Sequence, residues 1–266
     1  GFVYIFIKKY GLIGALISQN LFYLLLTIVL AFGYKDFKLK FNKNIIKEIA
    51  IYSSLVGLSS IGYFLYTRVD ILVLGHFGFV EQIGYYEIIN KIFMLMIMPV
   101  LLLGTVVAPN TTKYFALKKY TGLKNKIIKE ISFIFICGLI ITLISYFILP
   151  IIFSLFLPNY NITLLTTMLN LILLVIPFRF VSSYITVGYI TPSGKLKFAT
   201  FAMLLFGIMN LILDFLLIEQ FGFIGVVYAT VITQISYILT KDIQFYYSLK
   251  KLNKESINLN KNESSF

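Results

Sequence analysis

The 266-residue chain is 59% hydrophobic and only 13% charged, with a mean hydropathy of +0.90. A soluble domain is usually about 45–50% apolar and about 25% charged, so one aqueous core cannot hold this much apolar surface. A net charge of +12 would suggest nucleic acid in a soluble protein, but no basic-aromatic patch or nucleic-acid motif accompanies it, and the lysines sit in short connections between apolar runs.

Residues 1–7 are apolar and no cleavage site follows them. They read as the end of a truncated span, and the chain as a C-terminal fragment. Seven complete spans follow, at about 10–34, 49–76, 83–109, 130–150, 162–190, 196–218 and 222–247. Each is close to the roughly 20 apolar residues that a bilayer-crossing helix needs. Lipid offers the backbone no hydrogen-bond partner, so helix is the expected form. A barrel would alternate apolar and polar residues, and these runs do not. The fold class expected is all-α, a polytopic membrane helix bundle.

The connections alternate in charge. Lys35, Lys38, Lys40, Lys43 and Lys47 follow the first span. Lys113, Lys118, Lys119, Lys124, Lys126 and Lys129 follow the third, and Lys195 and Lys197 the fifth. Lys241, Lys250, Lys251, Lys254 and Lys261 fall in the tail, while the intervening connections hold only Glu81 and Glu219. The positive-inside rule places the lysine-bearing connections and the C-terminus in the cytoplasm. Lys8 and Lys9 depart from the pattern. Residues 251–266 are polar and read as a disordered tail.

An internal repeat links the two ends. Tyr10-Gly11-Leu12-Ile13-Gly14 matches Phe221-Gly222-Phe223-Ile224-Gly225, each at the start of a span and each after an apolar run. The two copies lie six spans apart and point the same way, as in transporters built from parallel repeats.

A series of short motifs runs through the chain. Arg68-Val69-Asp70-Ile71-Leu72-Val73-Leu74-Gly75 precedes Ile83-Gly84-Tyr85-Tyr86 and Lys91-Ile92. Ala108-Pro109, Pro192-Ser193-Gly194-Lys195, Asn210-Leu211-Ile212-Leu213-Asp214 and Gly222-Phe223-Ile224-Gly225 follow. In order and spacing this series resembles the bacterial polysaccharide flippase family of the multidrug/oligosaccharidyl-lipid/polysaccharide exporter superfamily. The resemblance covers about residues 8–247. It implies two six-helix bundles around a central cavity, with residues 1–48 forming the last span of the first bundle and a cytoplasmic linker. Residues 49–250 would form the second bundle and 251–266 a cytoplasmic tail. It also implies transfer of lipid-diphosphate-linked oligosaccharides across the bacterial cytoplasmic membrane by alternating access. The partners would be membrane lipid, an undecaprenyl-diphosphate-type glycolipid and an ion gradient, with no cofactor, no catalytic residue and no nucleic acid.

Charges within a span are costly and therefore point to function. Arg68 and Asp70 in the second span lie about 9–12 Å from its outer end, and Glu87 and Lys91 in the third lie about 6–12 Å from the same surface. Glu87 and Lys91 are four apart with the acid first, the favoured helical order. The four form either one network in the substrate path or a pin between neighbouring helices. Arg179 follows Pro177 in the fifth span, with no acid on that span to pair with it. It either receives a diphosphate bidentately or snorkels to the interface. Pro99, Gly57 and Gly62 are candidate flexible points. His76 and Asp214 read as interfacial or helix-end residues, and Cys137, the single cysteine, can form neither an internal disulfide nor a zinc site. No metal-ligand spacing, phosphate-binding Gly-rich loop or nucleophile elbow occurs.

Two other functions fit such a chain. A multidrug or cation antiporter of the same superfamily would carry an acidic cavity. A membrane polysaccharide polymerase would carry a large outer loop with catalytic polar residues, and the outer connections here are short.

Overall fold

The computed structural model describes residues 2–33, 43–117, 123–194 and 196–263. Lys35, Lys38, Lys40, Lys118, Lys119 and Lys195 lie outside the described residues. The elements are all helical: α1 (Phe2–Gly33), α2 (Lys43–Thr67), α3 (Val69–His76), α4 (Val80–Ala116), α5 (Leu123–Phe156), α6 (Ile162–Leu173), α7 (Ile176–Ile185), α8 (Leu196–Phe221) and α9 (Phe223–Glu263). α7 runs directly into a π-helical turn, Thr186–Ile190. No strand occurs among the described residues.

Five stretches are singly long and apolar enough to cross a bilayer: Ile13–Gly33, Val80–Ala116, Asn125–Phe156, Lys197–Phe221 and Phe223–Leu252. Ile162–Leu173 and Ile176–Ile190 make a sixth, bent by 48°. The chain is therefore an all-α, multi-pass membrane protein. Its outward apolar surface has the same meaning: Leu95, Val106, Phe147 and Leu155 are 63–72% exposed. Leaving such side chains in water rather than burying them would cost about 1.5–3 kcal/mol each. Lipid removes that cost.

The expected second span is not one helix. α2 and α3 meet at Arg68, whose φ of −136° departs from helix. Four serines, Lys47, Arg68 and Asp70 make this stretch less apolar than its neighbours. The fifth expected span bends at Leu174–Val175, so that Pro177 falls in the first turn of α7. There its missing N–H is no loss. Pro99, by contrast, sits inside unbroken α4. α9 remains helical to Glu263, past the point where disorder is expected. Extending an existing helix through Lys-, Leu- and Glu-rich sequence costs far less than nucleating a new one.

The chain divides into two compact units, Gly1–Ser53 and Ser54–Phe266. In the first, α1 breaks at Gly11, which has φ +57°. In the second, α9 packs along α8, α5 along α6 and α7, and α4 along α7 and the π turn, while α3 meets α4, α8 and α9. Small residues set the close crossings. A Cβ on Gly207 of α8 would lie 2.9 Å from the Leu65 Cβ and 3.2 Å from the Gly62 carbonyl oxygen of α2. Gly62, a candidate flexible point in sequence, is therefore an approach point for α8. Gly104 of α4 meets Val187 and Gly188 of the π turn in the same way. The core between the helices holds Tyr86, Ile89, Phe153, Met168, Ile176, Phe180 and Tyr189, all buried.

The repeated sequence motif has a repeated backbone. Gly222 has φ +61°, against +57° for Gly11. A Cβ on Gly14 would lie 2.0 Å from the Phe6 carbonyl oxygen, and one on Gly225 2.1 Å from that of Leu217. Both positions fold back onto the carbonyl eight residues earlier, and only glycine fits. The left-handed residue disfavours any side chain at the first glycine, and the carbonyl excludes one at the second.

Candidate functional site

Within the second unit a cavity of about 500 Å³ opens between α2, α3, α4, α7 and α9. All five charged residues singled out from sequence line it: Arg68, Asp70, Glu87, Lys91 and Arg179. The break between α2 and α3 positions the first two. Arg68, at the break, reaches across to α4 and donates Nη1 to Glu87 Oε1 at 2.6 Å. Asp70, two residues later, turns inward and is 1% exposed. The four outer charges therefore do not form one network. Arg68 and Glu87 pair, Asp70 belongs to a separate cluster, and Lys91 has no ion-pair partner among the described residues.

The Asp70 cluster begins at the cavity lining, with Asp70 and Tyr86, and continues into the bundle. Tyr86 of α4 donates its hydroxyl to Asp70 Oδ2. Asn210 of α8 donates Nδ2 to Asp70 Oδ1 at 2.5 Å. Thr230 Oγ1 of α9 stands 3.3 Å from Asp70 Oδ2, 3.0 Å from the Tyr86 hydroxyl and 2.9 Å from the Val226 carbonyl oxygen. Asp214, one helical turn beyond Asn210, is fully buried and lies close enough to Asp70 for the two carboxyls to interact electrostatically. It is not the helix-end residue that its place in the sequence suggests. Neither Asp214 oxygen has a donor, and Asn210 Oδ1 also lacks one. Two ionised carboxylates at close quarters repel each other, which favours a proton or a cation shared by the pair. Every free group here is an oxygen, the donor type that hard cations take. No group of three or more His, Cys, Asp or Glu ligands occurs among the described residues.

Arg179 reaches the cavity from α7. It donates Nη1 to the Tyr66 hydroxyl at 3.4 Å and lies 5.9 Å from that ring's centroid. Its Nε is buried without a partner. The guanidinium thus has donors to spare, and no carboxylate stands within ion-pair distance among the described residues. Deeper in the bundle lies a group that sequence reasoning missed. Lys241, counted there with the tail lysines, is 3% exposed inside α9. It pairs with Asp242 at 3.3 Å, donates to Ser182 Oγ of α7 at 2.7 Å, and bonds Thr186 at the start of the π turn.

A family model described as MatE matches residues 56–216, more than half of the chain. The chain belongs to the MatE family. MatE proteins are transporters of the multidrug/oligosaccharidyl-lipid/polysaccharide exporter superfamily, so this chain is a membrane transporter and its polar cavity lies in a transporter fold. The MatE match includes Arg68, Asp70, Glu87, Lys91, Arg179, Asn210 and Asp214, and ends before Thr230, Lys241 and Asp242. No curated protein and no solved structure matches the chain. One signal for the missed cluster was present in sequence. Asn210 and Asp214, four apart in an otherwise apolar MatE helix, share a face with no polar neighbour of their own. Lys241 gave no signal, because it stands next to a basic tail.

Proposed function

We propose that the chain moves lipid-diphosphate-linked oligosaccharides across the cytoplasmic membrane by alternating access. The observation that carries this reading is the charge left facing the cavity. Glu87 is taken up by Arg68, and Asp70 is taken up by Tyr86 and Asn210. Lys91 and Arg179 remain as cations without ion-pair partners among the described residues. A diphosphate supplies the missing anion, and Arg179 has the planar fork for bidentate contact. The Asp70–Asp214 pair supplies the coupling element. Binding of a proton or hard cation there changes the charge between α3 and α8, beside the substrate cavity. The lysine-bearing connections and the C-terminus lie on the cytoplasmic side, and no cofactor takes part.

The second reading, a drug or cation antiporter, draws on the same two buried carboxyls: in it they would hold the transported cation. One experiment separates the two. In proteoliposomes the protein accelerates loss of a fluorescent polyprenyl-diphosphate disaccharide from the outer leaflet, and Arg179→Ala abolishes this while inserting normally. Full transfer by Arg179→Ala, or efflux of organic cations with no lipid transfer, rejects the flippase reading. In cells, loss of the protein leads to accumulation of carrier-linked repeat units on the cytoplasmic side.

A further inference from the structure

Away from the transport cavity, a groove of about 350 Å³ opens between α4 and α5. Both helices pack chiefly on α7, which supplies Tyr184 to the groove. Leu103 and Val106 of α4 and Phe133 of α5 line it and are exposed. At membrane depth such side chains face lipid. Lys129 and Glu130 of α5 line the same groove. They stand four and five residues into the membrane-length stretch that begins at Asn125. That is about 6–8 Å along the helix, the depth of the headgroup region. Phe133 lies one helical turn deeper than Lys129. The groove is thus charged at headgroup level and apolar below it, which is the profile of a phospholipid.

The two charges are placed differently. Glu130 is fixed: the Tyr184 hydroxyl donates to its Oε2 at 2.9 Å, and the Tyr189 hydroxyl of the π turn donates to the same oxygen. Oε1 faces Lys126 of its own helix at 3.8 Å, too far for a hydrogen bond. Lys126 also lies 5.8 Å from the Tyr114 ring centroid. Oε1 therefore keeps acceptor capacity on a carboxylate that two tyrosines hold in place. Lys129, next in the chain, has no ion-pair partner among the described residues. A fixed carboxylate beside a free ammonium complements a zwitterion, with a phosphate for Lys129 and an N–H-bearing ammonium for Glu130. A purely anionic headgroup would meet repulsion at Glu130, and a quaternary ammonium has no N–H to give Oε1.

We propose that this groove is a binding site for one phospholipid with a primary-amine zwitterionic headgroup, a phosphatidylethanolamine. Its phosphate meets Lys129, its ammonium meets Glu130, and an acyl chain lies along Leu103, Val106 and Phe133. The site lies outside the transport cavity and does not depend on what the transporter carries. Through Glu130 and Tyr189 it is joined to the π turn.

The chain contains no tryptophan, so Phe133→Trp places a single fluorophore in the groove. Leu155→Trp places one on the exposed surface near the other end of α5, as a control for ordinary lipid contact. The full protein is reconstituted in vesicles that mix phosphatidylethanolamine with phosphatidylcholine, one of the two carrying brominated acyl chains that quench tryptophan on contact. Phe133→Trp is expected to report a preference for phosphatidylethanolamine of about tenfold, equivalent to about 1.4 kcal/mol. Leu155→Trp reports none. Adding Glu130→Gln, whose amide oxygen still accepts from both tyrosines, abolishes the preference at position 133. Lys129→Glu, a change outside the tyrosine bonds, weakens binding of phosphatidylethanolamine there and keeps the test open if Glu130→Gln does not fold. Val106→Trp views the same groove from α4 and reports the same preference. Equal quenching by the two lipids in the groove, or a preference that survives both Glu130→Gln and Lys129→Glu, overturns the proposal. Stronger quenching by brominated phosphatidylglycerol than by brominated phosphatidylethanolamine also overturns it, because the groove would then be a site for anionic lipid. Displacement of the brominated lipid by a polyprenyl diphosphate does the same, because the groove would belong to the substrate route.

Discussion

The two buried carboxyls should respond to substitution very differently, although both are fully enclosed. Asp70 accepts from the Tyr86 hydroxyl and from Asn210 Nδ2. Asp70→Ala removes the acceptor and leaves both donors buried. Each orphaned buried donor costs about 1–3 kcal/mol, so the loss should be roughly 2–6 kcal/mol. Asp214 has no donor on either oxygen and lies within electrostatic range of the Asp70 carboxyl. Asp214→Asn removes one of two adjacent acids and brings an amide that can donate to Asp70. Its effect should lie within about 1 kcal/mol of the parent, in the range of substitutions that break no partnered buried group. Unfolding in mixed detergent micelles, followed by far-UV circular dichroism, measures both. Stability is then compared with and without Na⁺ and between neutral and acid pH. The parent gains stability from one of these additions, and each variant loses that gain because the site needs both carboxyls. Equal destabilisation by Asp214→Asn and Asp70→Ala would show that Asp214 is itself held by donors, and the account of a shared proton or cation would fail.

Three more outcomes follow from the same geometry. Gly222→Ala meets open space but keeps a φ of +61°, so it should cost about 1–2 kcal/mol; Gly225→Ala would place its Cβ 2.1 Å from the Leu217 carbonyl oxygen and should reach the upper end of overpacking costs, about 3 kcal/mol. Thermal stability in detergent ranks the two, and the reverse order would contradict the fold-back geometry. The Arg68 side chain is 50% exposed, so a double-mutant cycle with Glu87→Ala should give a coupling of only about 0.2–1 kcal/mol despite the 2.6 Å contact. In a Cys137→Ala background, a membrane-impermeant thiol reagent should label Lys126→Cys only from the cytoplasmic side and Glu81→Cys only from outside; the same accessibility for both would undo the proposed orientation.

The hydrophobic pattern alone determined that this chain is helical and membrane-crossing, because the length of an apolar run and the absence of alternation are properties of the linear sequence. It also marked the Gly11 and Gly222 motifs, whose shared backbone follows from residue type: only glycine tolerates both the positive φ and the carbonyl beneath the next glycine. Charge in an apolar run singled out Arg68, Asp70, Glu87, Lys91 and Arg179, and the fold gathers all five on one cavity. What the linear pattern could not decide was partnership. Whether Asp70 meets Arg68, two residues away, or Asn210 and Thr230, far along the chain, depends on the break at Arg68 and on how α3 packs against α8 and α9. Lys241 was hidden for the same reason. A lysine beside a basic tail looks solvated until helix packing closes Ser182, Thr186 and Asp242 around it. Burial of a charge is a property of neighbours distant in sequence, and only the tertiary structure brings them together.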